Sequence, residues 1–160
     1  MPIVIRSVAT EEDVREMARL RDASGWSGGA SEHTMLRYFS GQHHPQQALA
    51  ERVGFVAKTD ATMTGFIAGH RTTRFDCDGE LQWLLVAPAF RGGPTAALLL
   101  GELAAWFARY RAARVCVNVG LDNERARRFY ARHGAVVLRD HWMIWEDITM
   151  LAAAGARLES

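Results

Sequence analysis

Arg91-Gly92-Gly93-Pro94-Thr95-Ala96 is the stretch of this chain whose residue types and spacing point most directly to chemistry. It lies between an apolar run ending at Val86 and a long segment of helical periodicity. Glycines entering a helix leave backbone N–H groups free and expose the positive end of the helix dipole, which suits an anion such as pyrophosphate. Arg91 adds a charged donor at the edge of that loop. A tight turn that needs glycine for its dihedral freedom is the competing explanation. Walker loops end in Gly-Lys-Ser/Thr and dinucleotide loops read Gly-x-Gly-x-x-Gly, and the chain has neither.

The other reactive residue types are sparse. His33, His43, His44, His70, His133 and His141 show no H-x-x-x-H or mixed Cys/His spacing, so no metal site is expected. His43-His44 lies in a polar loop, either simply solvated or lining an acceptor pocket. Trp26, Tyr38, His70 and Arg71 are further acceptor-side candidates, while Trp83, Trp106, Trp142 and Trp145 suit a core or an interface. Cys77 and Cys116 lack C-x-x-C spacing and read as two buried free thiols in a reducing compartment. Cys116 sits in an apolar run, where its pKa should rise and its reactivity fall. Lys58 is the only lysine, against eighteen arginines, so a catalytic lysine would have to be that residue.

Those residues need a scaffold, and 160 residues with 49% hydrophobic content suit one domain with a sizeable core, residues 1–160. A formal net charge of +1 gives no sequence-wide case for nucleic acid. No apolar run is long enough to cross a membrane, and the N-terminus lacks the pattern of a signal peptide, so a cytoplasmic protein is expected.

Along the chain, Ile3 to Val8 alternates as a strand, and Thr10 caps a helix that opens on Glu11-Glu12-Asp13 and ends near Ser24-Gly25. Gly25 to Ala30 reads as loop, Glu32 to Phe39 as a short helix, and Gly41 to Gln47 as a second loop. Gly54–Lys58 and Met63–Ala68 form strands around an Asp60-Ala61 hairpin turn, and Glu80–Val86 is a third. Pro94 to Arg111 carries Ala96, Leu99, Leu100, Leu103, Phe107 and Tyr110 at helical spacing. Val115–Val119 is a buried strand. Asn123 opens a helix that Gly134 closes in the left-handed conformation. Ala135–Leu138 and Trp142–Trp145 are strands joined at Arg139-Asp140, and Ile148 to Leu158 reads as a loose helix.

Two stretches together resemble the GNAT N-acetyltransferase superfamily over roughly residues 3–146. One is Arg91-Gly92-Gly93-Pro94-Thr95-Ala96 after Val86-Ala87-Pro88, similar to the family's Arg/Gln-x-x-Gly-x-Gly/Ala loop. The other is Asn123-Glu124-Arg125-Ala126-Arg127-Arg128-Phe129-Tyr130-Ala131-Arg132-His133-Gly134, similar to Asn-x-x-Ala-x-x-Phe-Tyr-x-x-x-Gly. Pro94 departs from the pattern where the family has its middle glycine, and proline has no N–H to donate. It is tolerated at the first helical position, with the Thr95 hydroxyl as a substitute donor.

The resemblance implies an α+β fold in α/β/α layers: a twisted, mixed, mostly antiparallel sheet with helices on both faces. It implies acetyl-coenzyme A as co-substrate, with no metal. Leu84, Leu85, Val86, Arg91, Gly92, Gly93, Thr95, Ala96, Asn123, Ala126, Phe129 and Tyr130 would line its site. The sheet would splay around Leu84–Val86 and Cys116–Val119 to admit the pantetheine arm, and a backbone N–H near Leu85 would face the thioester oxygen. Tyr130 matches the tyrosine that protonates the departing thiolate, against packing as the plain alternative. Glu80 matches in spacing the general base of some members, against a solvated strand-end glutamate. Asn123 caps its helix and touches the cofactor.

The expectation is direct transfer of an acetyl group to a primary amine of a small molecule or peptide. Two other readings stay open: an acyl-coenzyme A sensor without turnover, or an enzyme acting on protein N-termini or aminoacyl-RNA. Trp142, Trp145 and the C-terminal helix offer a surface for a homodimer.

Overall fold

The computed structural model describes residues 2–25 and 31–152. A seven-stranded sheet runs through it in the order β1-β2-β3-β4-β5-β7-β6. Its strands are β1 (Val4–Ser7), β2 (Ala48–Thr59), β3 (Thr62–Thr72), β4 (Gly79–Val86), β5 (Val115–Asn118), β6 (Val136–Arg139) and β7 (Trp142–Trp145). Four helices flank it: α1 (Glu11–Ala23), α2 (Glu32–Phe39), α3 (Thr95–Arg109) and α4 (Glu124–Arg132). All neighbouring strands are antiparallel except β4 and β5. The expected mixed, mostly antiparallel architecture is what the chain adopts.

The two faces of the sheet are packed by different helices. Ala57, Ile67 and Leu81 point to Leu99, Leu103 and Phe107 of α3. Val56, Phe66, Ala68 and Trp83 point the other way, to Val14 and Met17 of α1 and Met35 and Tyr38 of α2. Alternation along β2 and β3 therefore feeds both cores, and β3 is buried along almost its whole length.

Local chemistry sets the boundaries. Thr10 and Asp13 form a reciprocal cap at the start of α1. Arg6 of β1 grips the same carboxylate through two nitrogens, at 2.9 and 2.7 Å. That bond, helped by the amides of Ala9 and Thr10, holds the Asp13 carboxyl well below the usual carboxylate range. It adds stability at neutral pH that disappears as pH falls through the acid range. Asp60 and Ala61 both take positive φ, 52° and 66°, as a two-residue hairpin turn demands.

Three boundaries differ from expectation. β2 begins at Ala48, ahead of the expected start, because Ala48 pairs with Thr72 and Arg52 with His70. The charged Glu51-Arg52 hides that strand, while the Arg52 guanidinium turns back to the carbonyls of Tyr38 and His43 at 2.9 and 2.7 Å. Pro94 is the cap of α3 rather than its first helical residue. At the C-terminal end only a short 3-10 turn, Ile148–Leu151, falls within the described residues, with Asp147 capping it. The rest of the expected helix lies outside them.

β4 and β5 pair at Gly79–Val115, Glu80–Cys116 and Leu81–Val117 only. Opposite β3, Leu81 faces Gly69 and Trp83 faces Ala68, so Gln82 is an extra residue on β4. A bulge sharpens twist and bends its strand, here away from β5. The opening thus starts after Leu81 and Val117. Cys116 and Val117, expected to border the splay, are paired instead. From Gln82 to Val86 the β5-facing edge of β4 has no partner strand.

Candidate active site

Two cavities meet at that opening. One, of about 730 Å³, runs from the end of β4 across the loop before α3 to the inner side of α4. It is lined by Leu84, Leu85, Val86, Arg91, Gly92, Gly93, Ala96, Asn123, Ala126, Phe129 and Tyr130, eleven of the twelve residues expected at a cofactor site. The other, also about 730 Å³, continues past Leu84, Leu85 and Tyr130 to Glu80, Gln82, Arg74, Gln46 and His43.

The first groove is built mainly from backbone. Gly92 has φ of +85°, a conformation that favours glycine. Leu98 N–H bonds the Pro94 carbonyl and begins the ladder of α3. Among the described residues no acceptor meets the amides of Thr95, Ala96 and Ala97, the orphan donors of a helix start, nor those of Gly92 and Gly93 just before it. Arg91 donates from Nε to the Val86 carbonyl at 3.2 Å, which folds its guanidinium over the end of β4. Burial, and then the nearby Arg125, lower the pKa of Arg91. Neither arginine has an acidic partner among the described residues. Two converging cations and a row of free amides form a site for a polyanion.

Thr95 is the exception. Its side chain is 2% exposed, and its methyl group lies against Gly65 of β3. The hydroxyl is therefore not a groove donor, which corrects the expected substitution for the missing amide of Pro94. Arg125, Arg132 and His133 line the groove and went unrecognised in the sequence. They sit inside the second motif, at positions that the motif leaves open.

Asn123 caps α4 by accepting from the Ala126 amide at 3.3 Å, so its structural role is real. Its place on both cavity walls leaves the second role open. Tyr130, one turn from the end of α4, borders both cavities. Its ring stands edge-on to Trp145 at 5.5 Å. Burial alone pushes the phenol pKa well above its ordinary value, so it stays protonated and able to donate a hydrogen.

Glu80 is not a solvated strand end. It is 5% exposed, on the wall of the second cavity. Its Oε1 lies 3.6 Å from His70 Nε2 and 3.6 Å from an Arg74 nitrogen, and makes no hydrogen bond. Arg74 is steadied by Gln46 Oε1 at 2.9 Å and by the Trp142 ring, 4.7 Å from its guanidinium carbon. Neither Arg74 nor Gln46 stood out in the sequence, because both come from irregular segments without a motif.

The acceptor-side candidates separate. His43 lines the second cavity; His44 instead meets Arg52 through Nδ1 at 3.2 Å. Tyr38 and His70 are fully buried behind Glu80 rather than on the cavity wall. Arg71 turns away to Glu51, at 2.9 Å, and to the ring of Tyr110. Trp26 lies outside the described residues. Trp145 is 2% exposed and donates to the His133 carbonyl, so it belongs to the core and not to a dimer surface. Cys116 is fully buried and its pKa is raised, by the adjacent Cys77 thiol and by burial, which removes it as a nucleophile. No group of three or more metal-ligating side chains comes together among the described residues, and no helix there is long and apolar enough to cross a membrane.

Comparison with known proteins bears on the family and the fold. The sequence profile described as the acetyltransferase (GNAT) family matches residues 17–135. An uncharacterized N-acetyltransferase of Mycobacterium tuberculosis is 41% identical over 59 residues. That match spans 37% of this chain and 38% of the relative, so the two align over little more than a third of their lengths. A GNAT-family protein of Desulfovibrio desulfuricans has the same fold, with a TM-score of 0.74 at 15% identity over 92% of this chain and 99% of its own. The PaiA N-acetyltransferase of Thermoplasma acidophilum, solved in complex with coenzyme A, gives 0.69 at 18% identity over 91% and 99%.

Proposed function

Because the chain belongs to the acetyltransferase (GNAT) family, we propose that it transfers an acetyl group from acetyl-coenzyme A to a primary amine by direct attack in a ternary complex. The observation that carries this reading is the joint position of Glu80 and Tyr130 on one cavity, whose other end is the anion-binding groove. Residues 1–160 act as one catalytic domain, in the cytoplasm, on a small-molecule or peptide amine.

The donor fits the groove. The amides of Gly92, Gly93, Ala96 and Ala97, with Arg91 and Arg125, would hold its pyrophosphate. The unpaired edge of β4 from Gln82 to Val86 offers backbone groups to an extended arm, as an added strand would use them. The PaiA N-acetyltransferase, which shares the fold, was solved in complex with coenzyme A, and this supports coenzyme A as the carrier here. When bound, acetyl-coenzyme A supplies the activated acetyl group.

The acceptor arrives as an ammonium, with a reference pKa of about 10.4, and must lose a proton to attack. Glu80 takes that proton, directly or through one water. An N–H of the β4 edge near Leu85 stabilises charge on the carbonyl oxygen. Carbon–nitrogen bond formation is followed by carbon–sulfur cleavage; Tyr130 gives its proton to the departing sulfur and is reprotonated, through solvent, by the second proton that the nitrogen sheds as the amide forms.

A thiol-release screen with acetyl-coenzyme A against polyamines, amino acids, aminoglycosides and peptides tests the proposal. Amine-dependent thiol release from at least one class is the expected result. Binding of the donor, seen as a raised melting temperature, without release from any amine would instead favour a sensor. Donor at about 100 times its dissociation constant should add roughly 2.7 kcal/mol of stability. No stabilisation at all would remove the groove assignment.

A further inference from the structure

Behind Glu80 lies a buried polar chain that the reaction as described does not use. His70 of β3 is the cross-strand partner of Glu80 and has no exposed surface. Its Nδ1 is 2.8 Å from the hydroxyl of Tyr38 on α2, itself fully buried. Its Nε2 and the Glu80 Oε1 are both buried without a hydrogen bond, and they face each other at 3.6 Å.

The tautomer follows from the phenol. Burial raises the Tyr38 pKa well above its ordinary value, so the hydroxyl keeps its hydrogen. Among the described residues His70 Nδ1 is its only side-chain partner. The hydroxyl therefore donates, Nδ1 accepts, and the ring hydrogen of a neutral His70 must sit on Nε2, aimed at Oε1. A shift of a few tenths of an ångström turns that contact into a hydrogen bond. With Arg74 on the same oxygen, Oε1 is committed to the protein, and Oε2 is left for the acceptor.

We propose that Tyr38 and His70 form a positioning relay that fixes the tautomer of His70 and, through Nε2–H, the orientation of the Glu80 carboxylate. This rests on Glu80 acting as the base. The relay makes the rate depend on residues that touch no substrate. His70 from β3, Arg74 from the turn after it and Cys116 from β5 lie against Glu80, Tyr130 from α4 and His43 from the loop before β2 line the same cavity, and Tyr38 of α2 is one step behind.

The test compares three variants in the full-length protein. His70→Leu removes the N–H; His70→Gln returns one near the place of Nε2; Tyr38→Phe removes only the hydroxyl. Loss of the donor should lower kcat about tenfold, because the carboxylate loses the hydrogen bond that orients it. The KM for acetyl-coenzyme A should stay unchanged. His70→Gln should recover most of the rate, and Tyr38→Phe should fall between. Equal rates for the Leu and Gln variants, or an unchanged kcat in folded Tyr38→Phe, would overturn the relay. Nitrogen-15 spectra of the His70 ring give a readout free of turnover, with Nε2 expected protonated and Nδ1 bare. The opposite tautomer removes the relay whatever Glu80 does. Full activity in Glu80→Gln with the expected tautomer present would instead mean that the base assignment has failed and the relay's catalytic role with it.

Discussion

The proposed donor groove and the proposed acceptor cleft share Leu84, Leu85, Arg91, Asn123, Ala126 and Tyr130, yet they are built on different principles. The groove is largely backbone: a glycine at positive φ, unpaired amides at the start of α3, and the open edge of β4. The cleft is largely side chain: Glu80, Arg74, Gln46, Gln82 and His43, from one strand and two irregular segments. Backbone recognition tolerates many sequences, provided the turn and the helix start survive. Side-chain recognition depends on each residue present. Changes in the groove should therefore alter binding, and changes in the cleft should alter the rate.

Tyr130 stands on the boundary and offers the largest effect. Tyr130→Phe keeps the ring against Trp145 and removes the proton donor, so kcat should fall about 10²-fold. Donor affinity should hold, since the loss lies in the transition state alone. Stopped assays at saturating donor, with calorimetry for affinity, check both halves. An unchanged kcat across pH would return Tyr130 to a packing role.

Next in size come the groove cations. Arg91→Ala and Arg125→Ala should each weaken acetyl-coenzyme A binding by about tenfold, with kcat at saturation kept. The double variant should lose less than the product of the two, because the residues are neighbours. Loss of kcat with affinity intact would dissolve the distinction between the two regions. Pro94→Gly should give the smallest change, a gain in donor affinity of about threefold at most. It restores an amide, but Pro94 lies outside the lining of the groove, beside Ile3 and Thr59 instead. Isothermal titration resolves that difference, and weaker binding would mean that the added flexibility outweighs the donor.

The same contrast explains what was legible before the fold was known. The groove could be read because Arg91–Ala96 and Asn123–Gly134 are contiguous and their roles follow from helix ends. Thr95 was misplaced because one turn of helix decides between groove and sheet, and spacing alone does not. Most of the fold was legible for the same local reason: a cap marks α1, a hairpin turn marks β3 and helical spacing marks α3. The bulge at Gln82 was not, since it appears only once β3 and β4 are in register. That register is what buries Glu80 and sets His70 opposite it. Tyr38 and His70 drew attention as polar types, but their position behind the carboxylate is a product of tertiary packing. Arg74 and Gln46 carried no signal at all.

The pH dependence of kcat/KM in Glu80→Gln, beside the unaltered enzyme, tests the central claim most directly. With an accepted alkyl amine, the variant should lose about 10²- to 10³-fold near pH 7. Above pH 9 the loss should shrink, as more of the amine arrives already deprotonated against its reference pKa of about 10.4. A loss of the same size at every pH would assign Glu80 to positioning, and no loss would contradict the proposed chemistry of the cleft.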